Sequence, residues 1–130
     1  QKDEILITAD TIVCLDNQVL GKPKNKDEAR SMLKKLSNNT HIVYTGITLK
    51  TLQKTITKID KAEVSFNKIN DEEIDFYIEN FKPMDKAGSY GIQDWIGLTK
   101  IKRISGSYYT IMGLPTHLVY ESLAELNNAF

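Results

Sequence analysis

Cysteine is almost missing from this sequence: Cys14 stands alone. A lone thiol cannot close a disulfide within the chain. Inside an apolar run it reads as a small buried hydrophobe, and a reducing, cytoplasmic setting is the expectation that follows. Arginine is scarce too, at Arg30 and Arg103 only, so few bidentate guanidinium clamps on phosphate are available. Charge of either sign in excess is absent, because 17 basic residues face 17 acidic ones. That balance leaves no electrostatic footprint for a nucleic-acid polymer. Apolar runs are well short of the ~20 residues that a membrane span needs, and no apolar leader opens the sequence. His41 and His117 lie far apart, without the cysteine or acidic spacing of a zinc site; His41, set in a strand pattern, reads as packed or hydrogen-bonded. The G-x-x-x-x-G-K-[ST] spacing of a Walker loop does not occur. Repeats, low-complexity tracts and linkers are absent too, and 130 residues suit one domain.

What is present alternates between strand and helix patterns. Residues 5 to 15 are β-branched and apolar, and Ile5-Leu6-Ile7 reads as a buried strand. Asp16-Asn17-Gln18 marks a turn into the short strand Val19-Leu20. Asn25 caps a helix with Glu28 at its third position, and Ala29, Met32, Leu33 and Leu36 share one face. Ser37-Asn38-Asn39 closes it. Residues 41 to 51 and 54 to 67 read as two long strands, with Leu52-Gln53 near their turn. Ile56, Ala62, Val64 and Phe66 point inward on the second, while Ile59 breaks the alternation and suggests a bulge. Asn70 and Glu73 open a second helix whose stripe is Ile74, Tyr77, Ile78 and Phe81, and Pro83 bars its continuation. Residues 98 to 104 and 107 to 112 read as strands, and Gly113-Leu114-Pro115 leads into a last helix. The expected fold is α/β: a mixed β-sheet flanked by helices.

Three polar clusters sit where packing alone does not ask for them. Thr8-Ala9-Asp10-Thr11 puts a carboxylate inside an apolar pattern, which is costly without a partner. Asp10 serves either as a turn residue between two short strands or as a strand-end carboxylate able to hold Mg²⁺. Leu20-Gly21-Lys22-Pro23 presents an ammonium on a stiffened segment, suited to a phosphate oxygen or merely to solvent. Lys86 to Gln93 (KAGSYGIQ) is a glycine-punctuated run that either wraps a planar ligand or is a long connection packed by Tyr90 and Trp95. Gln93 offers a donor and an acceptor to a base edge.

The order and spacing of these clusters resemble the Maf family. The matching stretches are A-D-T at 9–11, L-G-K-P at 20–23, A-x-x-M-L-x-x-L-S at 29–37 and H-x-V-x-T-G at 41–46. D-K-A-G-x-Y-G-I-Q at 85–93, I-x-G-S-Y at 104–108 and G-L-P at 113–115 complete the set, from about Ile5 onward. The resemblance implies a fold similar to the inosine-triphosphate pyrophosphatases, with a cleft between two lobes. It implies hydrolysis of a nucleoside triphosphate to monophosphate and pyrophosphate with a divalent metal cation, Mg or Mn, and the branch that prefers dTTP and UTP, modified pyrimidine nucleotides included. Carried over position by position, Asp10 is the essential carboxylate, as metal ligand or base for the attacking water. Lys22 is the phosphate-binding lysine, Gln93 a substrate-binding glutamine, and Lys86 a weaker candidate in the same loop. A homodimer is a further implication. Asn38 stands where the family usually has Gly, Asp94 where Gly is common, and Tyr109-Thr110 where Ser-Asn is usual. The family's S-x-S-P-R-R phosphate-gripping segment is not among these residues, so the fold is expected to be incomplete at its N-terminus. The family's older association with septum formation supplies a second expectation, a regulatory binding protein linked to cell division, and an inactive fragment of the enzyme is a third.

Overall fold

The computed structural model describes residues 4–127. Five strands make one sheet in the order β2-β1-β3-β4-β5: β1 (Leu6–Leu15), β2 (Gln18–Leu20), β3 (Thr40–Lys50), β4 (Thr55–Phe66) and β5 (Ile101–Ser105). The helices are α1 (Lys26–Leu36), α2 (Asp71–Phe81), α3 (Trp95–Lys100), α4 (Tyr108–Met112) and α5 (Thr116–Asn127). The α/β class is as expected, with one correction. Every described pairing is antiparallel, where a mixed sheet was expected. The reason lies in the Asp16-Asn17 turn. Both residues have positive φ, 50° and 64°, the two-residue hairpin conformation that reverses the chain at once. β2 and β3 then run the same way across the α1 connection, as a β-α-β pattern suggests, but β1 lies between them and opposes both.

Strand parity decides what is covered. Along β3, His41, Val43, Thr45, Ile47 and Leu49 are all buried, and the alternate residues are not. Their partners on β4 are Val64, Ala62, Asp60, Lys58 and Ile56. Over one half of this face α1, α2 and the 86–92 loop bury Val43, Ala62, Val64 and Phe66 in the main core. Over the other half lie α4 and α5, and there the inward positions include polar residues. Thr110 bonds Asp60, and Glu125 pairs with Lys58. Ile59 therefore marks no bulge: it pairs in register with Gly46, points to the uncovered side, and is 70% exposed. The interruption in hydrophobicity came from Lys58 and Asp60 meeting α5 and α4, and the register shift falls instead at Ser65/Phe66.

Helices α1 and α2 start where expected. Asn25 accepts the Glu28 N–H, and Asn70 and Glu73 form a full capping box. Asn38, the substitute for a family glycine, has φ 57°, a left-handed conformation that Asn tolerates. Three expectations fail. Residues 107 to 112 are not a strand but α4, because Ser107 caps the Tyr109 N–H and Gly113, at φ 109°, stops the helix. Residues 98 to 100 belong to α3 rather than to β5. Ile5, Leu6 and Ile7 are not buried, at 36, 61 and 40% exposure. β2 pairs only with residues 13 to 15, so the first half of β1 has a single neighbour, β3, among the described residues. Cys14 is half-buried, paired with Ile42 and Val19 on the uncovered side of the sheet.

Candidate active site

Between the two groups of helices lies a cleft of about 290 Å³ whose floor is β1 and β3. Asp10, Thr11 and Val13 line it from β1, Lys22 from the segment after β2, Lys86, Ala87 and Tyr90 to Gln93 from the long loop, and Ile111 and Met112 from α4. All four residues singled out in the sequence, Asp10, Lys22, Lys86 and Gln93, thus come to one cavity from three segments. Asp10 is no turn residue. β1 runs unbroken through it, opposite Gly46 of β3, and its exposed carboxylate accepts the Thr11 N–H at 3.0 Å.

The loop is held against the floor by identifiable contacts. The Gly88 N–H donates to the Gly21 carbonyl at 3.1 Å, which ties the Lys86 loop to the Lys22 segment. Gly88 has φ 70°, and a Cβ there would stand 3.0 Å from Val13 of β1, so both conformation and space demand glycine. Ser89, fully buried, donates to the Met32 sulfur at 3.1 Å and anchors the loop on α1. From α2, the Tyr77 hydroxyl accepts the Gly91 N–H at 3.1 Å and donates to Asp94 at 2.9 Å. Burial first of all drives the Tyr77 pKa upward, keeping it a neutral donor. Asp94, a departure from the family pattern, thereby acquires a structural role.

Behind the cleft wall, Tyr90 meets His41, with the hydroxyl 2.6 Å from Nε2 and both side chains packed on Phe66. Burial raises the Tyr90 pKa and lowers that of His41 to about 4, so the pair is neutral at pH 7. His41 is a packed, hydrogen-bonded histidine as its strand setting implied.

Charges in the cleft are mixed. Asp85 also lines it and stands 3.8 Å from Lys86, whereas Lys22 has no ion pair among the described residues. Among the described residues no group of three or more His, Cys, Asp or Glu side chains is arranged to hold a metal ion by itself. Asp10 and Asp85 both line the cleft and are the carboxylates there that an Mg²⁺-type ion arriving with a triphosphate could use. Such an ion takes one or two carboxylates and completes its shell with phosphates and water. Asp85, Thr11, Tyr90 and Met112 were not foreseen as cleft residues. Asp85 and Tyr90 stand within the D-K-A-G-x-Y-G-I-Q stretch and Thr11 within A-D-T, which was the available signal; nothing local marked Met112.

Acidic and basic side chains thus share one cleft over an antiparallel floor, and the segments that carry them match a single family. The chain belongs to the Maf-like protein family, whose model matches residues 1–126. It is 55% identical over 126 residues to a dTTP/UTP pyrophosphatase of Phocaeicola vulgatus, covering 95% of this chain and 64% of that protein. It is 53% identical over 129 residues to one of Flavobacterium psychrophilum and 46% identical over 129 residues to one of Porphyromonas gingivalis. Both alignments cover 99% of this chain and 65% of the relative. The chain therefore spans just under two thirds of the length of these curated relatives. No helix among the described residues is long and apolar enough to cross a membrane.

Proposed function

We propose that this chain carries the nucleotide cleft of a dTTP/UTP pyrophosphatase. What carries the reading is the convergence of Asp10, Lys22, Lys86 and Gln93 on one cavity in a family whose similar members bear that name. In the reaction, a water oxygen bonds to the α-phosphorus, the bond from that phosphorus to the bridging oxygen breaks, and pyrophosphate leaves with the electron pair. Asp10 accepts the proton of the water and orients its oxygen. Lys22, free of an ion-pair partner among the described residues, offsets charge on the triphosphate, with Lys86 beside it. Gln93 faces the edge of a pyrimidine. A divalent cation, Mg or Mn, when bound with the substrate, supplies further neutralisation of phosphate charge, and Asp10 with Asp85 would hold it.

The test is pyrophosphate release from dTTP, UTP, CTP, dATP and GTP with Mg²⁺ or Mn²⁺, beside an Asp10→Asn control that keeps the side chain's size. Release from dTTP and UTP that drops at least a hundred-fold in the control is expected. Equal release from both proteins would dismiss Asp10 as the base, and release that ignores the added metal would dismiss the cation.

A further inference from the structure

Thr11, on the cleft floor, ends a row of threonines whose other members, Thr45 and Thr110, are buried behind it. Thr45 is fully buried, and its Oγ1 lies 2.8 Å from the carbonyl oxygen of Thr110 in α4. A carbonyl has no proton, so Thr45 donates there and spends the single proton its hydroxyl owns. Thr45 Oγ1 also lies 2.9 Å from Thr11 Oγ1. With the Thr45 proton committed, Thr11 must donate in that contact. Its own proton is then committed as well, and toward the cleft that Thr11 lines its hydroxyl shows lone pairs only. The row is firmly anchored, because Thr110 Oγ1 donates in turn to Asp60 at 2.6 Å.

We propose that Thr45 is a specificity-determining positioning residue: by taking the Thr11 proton it makes Thr11 an obligate acceptor, which selects a base that offers an N–H. The inference rests on the nucleotide reading of the cleft and deepens it. Uracil and thymine present N3–H between two carbonyls. Cytosine presents a bare N3 lone pair at the same place, which would meet the oxygen lone pairs of Thr11 and leave them unpaired. Gln93 cannot make this distinction alone, since its amide is both donor and acceptor and serves either base after a half-turn. Phosphate oxygens are acceptors too, so the same polarity assigns Thr11 to the base side of the ligand rather than to the phosphates.

Thr45→Val removes the acceptor at nearly constant volume, and the Thr110 carbonyl keeps a second donor, the Gly113 N–H at 3.1 Å. The measurement is the dissociation constant for UMP and for CMP, by calorimetric titration, on the starting protein, Thr45→Val and Thr45→Ser, with melting curves to establish folding. A purely structural role would weaken both ligands together; the uridine-to-cytidine ratio isolates the polarity. The starting protein should favour UMP, Thr45→Val should reduce the ratio on the order of ten-fold, and Thr45→Ser should keep it. Should the valine variant not fold, Thr45→Ala makes the same test with less demand on space. An unchanged ratio in the folded variant overturns the proposal. So does a starting protein that binds both nucleotides equally, which leaves the nucleotide cleft standing. Binding of neither nucleotide overturns the cleft reading and this inference with it.

Discussion

Gly88 and Val13 are in contact across the cleft floor: a Cβ built on Gly88 stands 3.0 to 3.2 Å from three side-chain atoms of Val13. This contact sets the distance between the loop that bears Lys86 and Gln93 and the strand that bears Asp10. Gly88→Ala must accept a left-handed conformation at φ 70° and push against a fully packed strand. A cost of about 2–4 kcal/mol is expected from strain and overpacking together. Chemical denaturation measures it. Val13→Ala in the same chain should recover part of the loss, and strictly additive effects would mean that the two residues do not touch.

Tyr77 is the second determinant of loop position. Its hydroxyl joins α2 to both Gly91 and Asp94. Tyr77→Phe keeps the ring and leaves the Gly91 N–H and the Asp94 carboxylate without this partner. A loss of about 1–2 kcal/mol is expected. Hydrogen exchange at residues 86 to 93 should accelerate more than exchange in α1; uniform acceleration would show that Tyr77 supports the fold at large rather than the loop.

His41 predicts a pH dependence of stability. Its folded pKa lies at about 4, below the ordinary 6.5, because burial disfavours the imidazolium. Between these values the unfolded chain takes up a proton that the folded chain refuses. Stability therefore falls as pH drops through that window, by about 3 kcal/mol at its foot, and is untouched by His41 above pH 7. His41→Gln should cost stability at pH 7, and its deficit against the starting protein should shrink steadily toward pH 4. A deficit that stays constant across that range would show that His41 does not titrate this way.

Much of this arrangement was legible in the sequence, for physical reasons that differ by element. α1 and α2 were readable because caps and stripes are local: Asn25 and Asn70 declare the starts, and the apolar spacing declares the buried face. The paired strands β3 and β4 were readable from alternation, except at Ile59, where the inward neighbours Lys58 and Asp60 are satisfied by α5 and α4 from far along the chain. α4 was misread because Tyr108-Tyr109-Thr110-Ile111 has strand composition, and the caps that overrule it, Ser107 and Gly113, lie just outside the run. The antiparallel sheet was hidden because one two-residue turn decides it. The cleft was foreseen through its charged residues, whereas Met112 reaches it only by tertiary placement, and the Thr11–Thr45–Thr110 row requires the register of β1 on β3 to be known.

The two cleft lysines differ in their acidic neighbours. Lys86 stands beside Asp85, 3.8 Å from its carboxylate, while Lys22 on the opposite segment has no such neighbour among the described residues. Part of the Lys86 charge is therefore offset before any ligand arrives, and a triphosphate gains less from it. Under the proposed function, Lys22→Ala should weaken triphosphate binding by about ten-fold and Lys86→Ala by less. Raising the salt concentration should narrow the difference, since screening weakens the attraction of both charges for the phosphates. Removing Asp85 supplies the decisive comparison. In an Asp85→Asn background Lys86 is relieved of its neighbour, and Lys86→Ala should then cost as much as Lys22→Ala. Titration of the four variants with a non-hydrolysable triphosphate measures all of this without relying on turnover. If the Lys86 deficit is the same with and without Asp85, the ion pair does not govern the lysine, and the two ammonium groups differ for a reason other than charge.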